Sequence, residues 1–344
     1  MSSPDVPTFK DQAEVLAAET TQIFKDNPRF RFVSLIGYGT CGAVFRMRYR
    51  DPEQVCEDFI VKRSFDDPEA KQGLQTEANL LKRYRACTHI VNILDIPNNP
   101  LNTAAGIDQD SWMALEWLTG GTVGTFLNNA IRKMVGRPIP NRILWRFFLC
   151  MMRGCVAISY PDHDERIPGR DVEPSGLVHN DLHIDNIILG DFLTEILAEH
   201  EITPIVKIID FGSAGQMTRN NHHQEVQDRR SMAMIMEKLI TQYGRLGTRP
   251  RGVTRPDIEF NGETFRCIAP SLVPPPAGVD PELCLIVCAL MAEDSRKCPS
   301  LPYVLRRAQE EVANPSAFYR DRPEEQDDAI KQLCHEIIHD APTS

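Results

Sequence analysis

Apolar residues change their spacing near Gly120 and Gly121, and that change limits the fold more than any other feature of the chain. Before it, apolar and polar residues alternate in short runs, the two-residue period of strands buried on one face. Residues 32–49 set Phe45, Met47 and Tyr49 on one side and Arg46, Arg48 and Arg50 on the other. The turn DPEQ (51–54) leads to a second strand at DFIVKRSF, and HIVNILDI and SWMALEWL supply two more around a Pro- and Asn-rich loop at 97–110. One helix interrupts them: Asp67 caps it, Pro68 opens its first turn, and Leu74, Ala78 and Leu81 follow at spacings of four and three. After the glycine pair the period is helical over 122–135, 141–160, about 225–243 and DPELCLIVCALMAED. This order predicts an α+β fold, a small β-rich part followed by a larger helical one.

The ends look different. Residues 1–28 read as a polar N-terminal extension with one short helical pattern (Val15, Leu16, Ile23, Phe24) closed by Asn27 and Pro28, and 313–344 read as a polar C-terminal tail with one weak helix. With 344 residues, 42% hydrophobic and 25% charged, the chain can bury a sizeable core and falls between one large domain and two. Its net charge of −10 leaves no basic excess to neutralise a phosphate backbone or an anionic membrane surface. The most apolar run, ILWRFFLCMMRGCVAIS, is broken by Arg146 and Arg153, and no signal pattern precedes it. Neither nucleic acid nor membrane is an expected partner. The ten cysteines are scattered without a Cys-x-x-Cys pair, which predicts reduced, buried thiols in an intracellular protein, cytoplasmic or nuclear, and no zinc site from that spacing.

Chemistry-bearing residues cluster along the chain. IGYGTCGAVF carries Gly37, Gly39 and Gly42 ahead of an alternating strand. A dinucleotide fold would begin a helix at the third glycine, so this run reads as a hairpin loop laid over phosphates. Lys62, on the next strand, can neutralise phosphate charge if a carboxylate holds it, and Glu77, beside the apolar stripe of the helix, is the candidate holder. Taken singly, either could be a solvated surface charge. In LVHNDLHIDNIIL, Asp181 and Asn186 stand five apart on a loop after an apolar strand, and Asp210 ends another apolar strand in VKIIDFGSA. Asn186 and Asp210 offer oxygens suited to Mg²⁺, which leaves Asp181 to accept a hydroxyl proton. Such a set serves phosphoryl transfer.

In their order and element types these motifs resemble the catalytic domain of eukaryotic protein kinases over residues 30–310. The resemblance implies a two-lobed fold, with 29–118 as the β-rich N-lobe and 119–312 as the helical C-lobe, ATP and Mg²⁺ as cofactors, and transfer of the γ-phosphate to serine or threonine of a protein substrate. Carried over by position, Gly37, Gly39 and Gly42 cover the phosphates, Lys62 holds the α- and β-phosphates and pairs with Glu77, and Asp181 is the catalytic base. Asn186 and Asp210 become the metal ligands. Glu116 and Leu118 become the hinge, Leu115 the gatekeeper, and Ile36, Val44 and Ile188 the sandwich around the adenine, with plain core burial as the alternative for the apolar ones.

Several positions depart from the family pattern. Ile60 stands two before the lysine, where the family has alanine, and should crowd the adenine pocket. Asn180 replaces the arginine before the catalytic aspartate, which removes a cation for a phosphorylated loop. If Asp228 starts the central helix, residues 211–227 leave no room for an Ala-Pro-Glu motif, and Cys298 stands where its partner arginine would be. His183 replaces a lysine and either touches a phosphate or braces the loop. HNDLHIDNII is also similar to the loop of choline and aminoglycoside phosphotransferases, so a small-molecule kinase stays open, as does a nucleotide-binding pseudokinase. The long segments 161–176 and 190–204 are candidates for substrate contacts.

Overall fold

A computed structural model of the chain describes residues 8–50, 56–161, 164, 174–193, 198–216, 226–242 and 255–339. Two compact units emerge: Met1–Ala86 with Val91–Trp117 and Asp210–Ser213, and Cys87–Ile90 with Leu118–Ile209 and Ala214–Ser344. The turn expected at 51–54 lies outside the described residues.

The first unit is a five-stranded antiparallel sheet with two helices. Strands β1 (Phe30–Tyr38), β2 (Gly42–Arg50), β3 (Cys56–Ser64), β4 (Ile93–Leu94) and β5 (Trp112–Glu116) pair in the order β1-β2-β3-β5-β4. The alternation in β2 is kept: Ala43, Phe45 and Met47 are fully buried, while Arg48 and Arg50 are exposed. With Phe59 and Val61 of β3, they pack beneath Ala13, Leu16 and Phe24 of α1 (Phe9–Phe24). Residues Phe9–Phe24 thus do more than the expected polar extension, because α1 roofs the sheet. Its buried stripe runs Ala13, Leu16, Thr20, Phe24, whereas Val15 is exposed. An alanine and a threonine are weak apolar signals, yet Thr20 accepts a 2.8 Å hydrogen bond from buried Arg63 of β3, which also meets Glu19. Helix α2 (Pro68–Arg83) begins where expected, with Asp67 Oδ2 accepting from Ala70 N at 2.8 Å, and it buries Leu74, Glu77 and Leu81. The run HIVNILDI forms only a two-residue strand, since Ile90 instead bridges Ile208 in the second unit and Asn92 N–H goes to the Glu116 side chain.

The second unit is built on α4 (Asn141–Ser159), buried along nearly its whole length. Around it lie α3 (Val123–Lys133), α5 (Gln227–Thr241), α6 (Pro281–Leu290) and α7 (Leu301–Ala313). Two short antiparallel pairs, β6 (Leu177–Val178) with β9 (Gly215–Gln216) and β7 (Ile187–Leu189) with β8 (Val206–Ile208), frame the loop 179–186. The C-terminal segment is no loose tail. Helix α8 (Asp327–His339) buries Ile330, Cys334 and Ile337 and packs on α3, where Asn129 Nδ2 donates to Ile337 O. Buried Glu325 caps α4: its carboxylate accepts from Asn141 N at 2.7 Å and Arg142 N at 3.0 Å, donors that Pro140 at the N-cap leaves unmet.

Candidate active site

Strand alternation decides which β3 residues reach α2. With Phe59, Val61 and Arg63 turned toward α1, Ile60 and Lys62 turn the other way. Lys62 Nζ donates to Glu77 Oε2 of α2 at 2.7 Å and to Asp210 Oδ1 at 2.8 Å. Glu77 is only 2% exposed, and its second oxygen accepts from Phe211 N–H at 3.2 Å. Burial alone would lower the Lys62 pKa, but the Glu77 and Asp210 carboxylates outweigh it and hold the ammonium above its ordinary value. Burial pushes the Glu77 carboxyl up, against the pull of Lys62 and the Phe211 amide. With a fixed cation and an N–H both donating to it, Glu77 is the carboxylate of an ion pair.

Asp210 reaches Lys62 because its backbone sits in the left-handed region (φ 64°), a conformation that costs energy for a non-glycine residue and concentrates at functional sites. The next residue anchors the turn: the Phe211 ring is 1% exposed and lies 5.3 Å from Tyr84, the C-cap of α2. Asp210 and Phe211 therefore belong to the first unit, far along the chain from its other residues.

The three loop glycines are not equivalent. A Cβ on Gly42 would lie 2.1 Å from the Arg63 carbonyl oxygen, so β2 and β3 can approach only with glycine there. Gly37 and Gly39 have nothing within 4 Å of such an atom, and neither has a positive φ. Nothing in the fold requires glycine at those two positions. Ile36 is exposed and Val44 partly buried, while Ile60 is buried at 8% and paired across the strands with Leu115. Glu116 N–H donates to Asn92 O at 3.0 Å, and its side chain accepts from Asn92 N at 2.7 Å, which fixes the end of β5.

In the second unit, the loop 179–186 is held by its own polar groups. Asp181 N–H donates to His179 Nδ1 at 3.3 Å, so the His179 proton is on Nε2, which donates to Ile209 O at 3.0 Å. Asp228 Oδ2 accepts from His179 N at 2.9 Å, and burial raises the Asp228 pKa to about 6, against the hydrogen bonds from the His179 and Asn180 amides. Asn180 has φ 66°, a backbone that asparagine tolerates better than arginine. Asn186 Nδ2 donates to Asp181 O at 2.9 Å and to Asp181 Oδ2 at 3.3 Å, leaving the amide oxygen as its ligating end. His183 Nδ1 accepts from Asp185 N at 3.2 Å, and its Nε2 lies 3.8 Å from Asp181 Oδ2. The ring thus braces the loop and turns its N–H toward Asp181. Ile188 and Leu118 are both partly buried in this unit.

These observations meet an independent one: residues 30–233, more than half of the chain, match the family profile described as protein kinase domain. The chain belongs to the protein kinase domain family. The α+β order of sheet and helices is the two-lobed kinase fold. Among curated proteins it is similar to human dual specificity mitogen-activated protein kinase kinase 7, 26% identical over 184 residues, which is 53% of this chain and 34% of that protein. The rat and mouse proteins of the same name are each 25% identical over 184 residues, covering 34% and 27% of their lengths. The chain spans about a third of the length of these relatives. Among the described residues, no helix is long and apolar enough to cross a membrane.

Two kinase-domain features escaped the sequence reading. The Phe211 amide anchors Glu77, and His179 fixes the Asp181 backbone. A histidine directly after the apolar pair Leu177 and Val178, two before the candidate base, was a usable signal for the second; a backbone N–H leaves none for the first. Cys298, in the place of an arginine, sends its thiol to Leu290 O at 3.3 Å. All of 217–225 and most of 161–176 lie outside the described residues.

Proposed function

We propose that this kinase domain transfers the γ-phosphate of ATP, with Mg²⁺, to serine or threonine hydroxyls of a protein. The ion pair of Lys62 with Glu77, extended to Asp210 and locked by the Phe211 amide, carries the reading. A lysine ammonium held by a buried carboxylate is positioned to neutralise phosphate without being free to swing away. Gly37 and Gly39 support it, because the space where a side chain would stand admits a phosphate close to the backbone amides.

Asn186 and Asp210 supply hard oxygen ligands for the Mg²⁺, which when bound neutralises charge on the transferred phosphate. Asp181 accepts the proton of the attacking hydroxyl. Its backbone is fixed by His179 and its carboxylate is steadied by Asn186, so the acceptor oxygen is positioned before substrate arrives. His183 acts as a positioning residue through its N–H toward Asp181. The hinge carbonyl of Glu116 and amide of Leu118 hold the adenine, with Ile36, Val44 and Ile188 around the ring.

The test is incubation with Mg²⁺ and γ-labelled ATP in a cell lysate, then separation of acid-precipitable from small-molecule label, with Asp181→Asn as control. Label in serine and threonine of the protein fraction, lowered about 10²–10⁴-fold in the variant while it stays folded, is the expected outcome. Label confined to small alcohols would replace the reading with a small-molecule kinase. Absence of label above the control would leave a nucleotide-binding module.

A further inference from the structure

A second cluster of reactive side chains lies inside the helical unit, made from residues 61 and 50 positions apart in the chain: His89, Cys150 and His200. His89 precedes Ile90, whose neighbour strand is β8. Cys150 sits at the middle of α4, and His200 ends the 3₁₀ turn Ala198–His200. One ligand atom from each lies within 4.8 Å of the other two, and the residues are only 1%, 2% and 2% exposed. The two imidazole centroids are 5.4 Å apart with planes tilted by 55°, so the rings are not stacked.

A further observation points to a ligand. Both ring nitrogens of His200 are buried without an oxygen or nitrogen partner, an arrangement that is expensive unless something else satisfies them. One of them lies within 4.8 Å of both the Cys150 sulfur and a ring nitrogen of His89.

His200 is held there by its neighbour. Glu199 Oε1 takes a 2.6 Å ion pair from Arg153, and its carbonyl accepts from Arg146. Arg146, Cys150 and Arg153 follow at spacings of four and three, one face of α4. The two arginines that interrupt the most apolar run thus clasp the turn Ala198–His200 on either side of Cys150.

We propose that His89, Cys150 and His200 bind a zinc ion that ties the turn Ala198–His200 to α4, with water in the fourth position. Two imidazoles and one thiolate are donors for a borderline, thiophilic cation, whereas Mg²⁺ and Ca²⁺ prefer oxygen. Binding exchanges the thiol proton for the metal: the S–H bond breaks, the Zn–S bond forms and the proton leaves to solvent. The cysteine spacing alone offered no such site, because two of the three ligands are histidines brought in by tertiary contacts.

The test uses the full chain purified from zinc-supplemented cells and desalted. Elemental analysis should find about one zinc per chain. A chelator should remove it with a fall in Tm that added Zn²⁺ restores, and the cobalt form should show a thiolate-to-cobalt charge-transfer band. Cys150→Ser should lose that band and His200→Ala the stoichiometric zinc, whereas Cys155→Ser, on the same helix but outside the cluster, should keep both. If the variants fail to fold, the wild-type measurements decide alone. Wild-type protein without zinc, whose Tm neither chelator nor Zn²⁺ moves, would overturn the proposal in favour of a metal-free buried cluster. Stoichiometric copper in place of zinc would overturn the choice of ion.

Discussion

Replacing Glu77 by glutamine tests whether the Lys62 ion pair is held by two acceptors or merely sits beside them. The carboxylate serves Lys62 Nζ with one oxygen and Phe211 N–H with the other, while glutamine has a single carbonyl oxygen for both. One donor therefore loses its acceptor, a loss of about 1.5–3 kcal/mol for a charged hydrogen bond. Lys62 keeps Asp210 at 2.8 Å, but Asp210 is 47% exposed, and a screened pair returns less than about 1 kcal/mol. The expected net loss is about 2 kcal/mol. Lys62→Met leaves the 2%-exposed Glu77 without its cation, a change that costs about 3–5 kcal/mol for a fully buried pair and somewhat less here, since Lys62 itself is 19% exposed. In the double variant the glutamine oxygen can serve Phe211 alone, so the loss caused by Glu77→Gln should largely disappear. The coupling energy should be about 2 kcal/mol, read from urea unfolding of the four proteins at neutral pH. Single costs that add to within about 0.5 kcal/mol would refute the argument that Lys62 and Glu77 act as one unit.

Other perturbations separate fold from function. Gly42→Ala should destabilise by about 1–3 kcal/mol or prevent folding, because its Cβ meets the Arg63 carbonyl, whereas Gly37→Ala should change stability by less than about 0.5 kcal/mol while raising the KM for ATP. Asp228, raised from 3.8 to about 6, favours its protonated form in the folded state. The stability it contributes is present below about pH 4 and lost as pH rises to about 6, a difference of about 3 kcal/mol. Asp228→Asn keeps an acceptor for His179 N–H and should therefore gain stability over wild type by about that amount between pH 4 and pH 7; a flat difference in urea midpoints would show that burial does not raise this group. Ile60→Ala should lower the KM for ATP if Ile60 crowds the adenine, at a stability cost of about 2–4 kcal/mol; an unchanged KM would remove Ile60 from the pocket.

Local periodicity determined much of this protein. The alternation in β2, the Asp67 and Pro68 start of α2 and the change to helical spacing after Gly121 are written in neighbouring residues, and backbone sterics read them without reference to the rest of the chain. Glu77 on an apolar helix face signalled a buried partner for the same reason: a carboxylate there is too costly to leave unpaired. Tertiary structure alone decided the ends and the connections. Ala13 and Thr20 give α1 no strong apolar stripe, and only the sheet beneath shows which face is buried. Glu325 reads as one more acidic residue until it meets the bare N-terminus of α4. His89, Cys150 and His200 carry no shared spacing at all, because their meeting depends on how the helical unit folds a loop, a helix and a clasped segment together. Neighbour-to-neighbour sterics can be read along a chain; contacts that close long loops depend on the packing of everything between them.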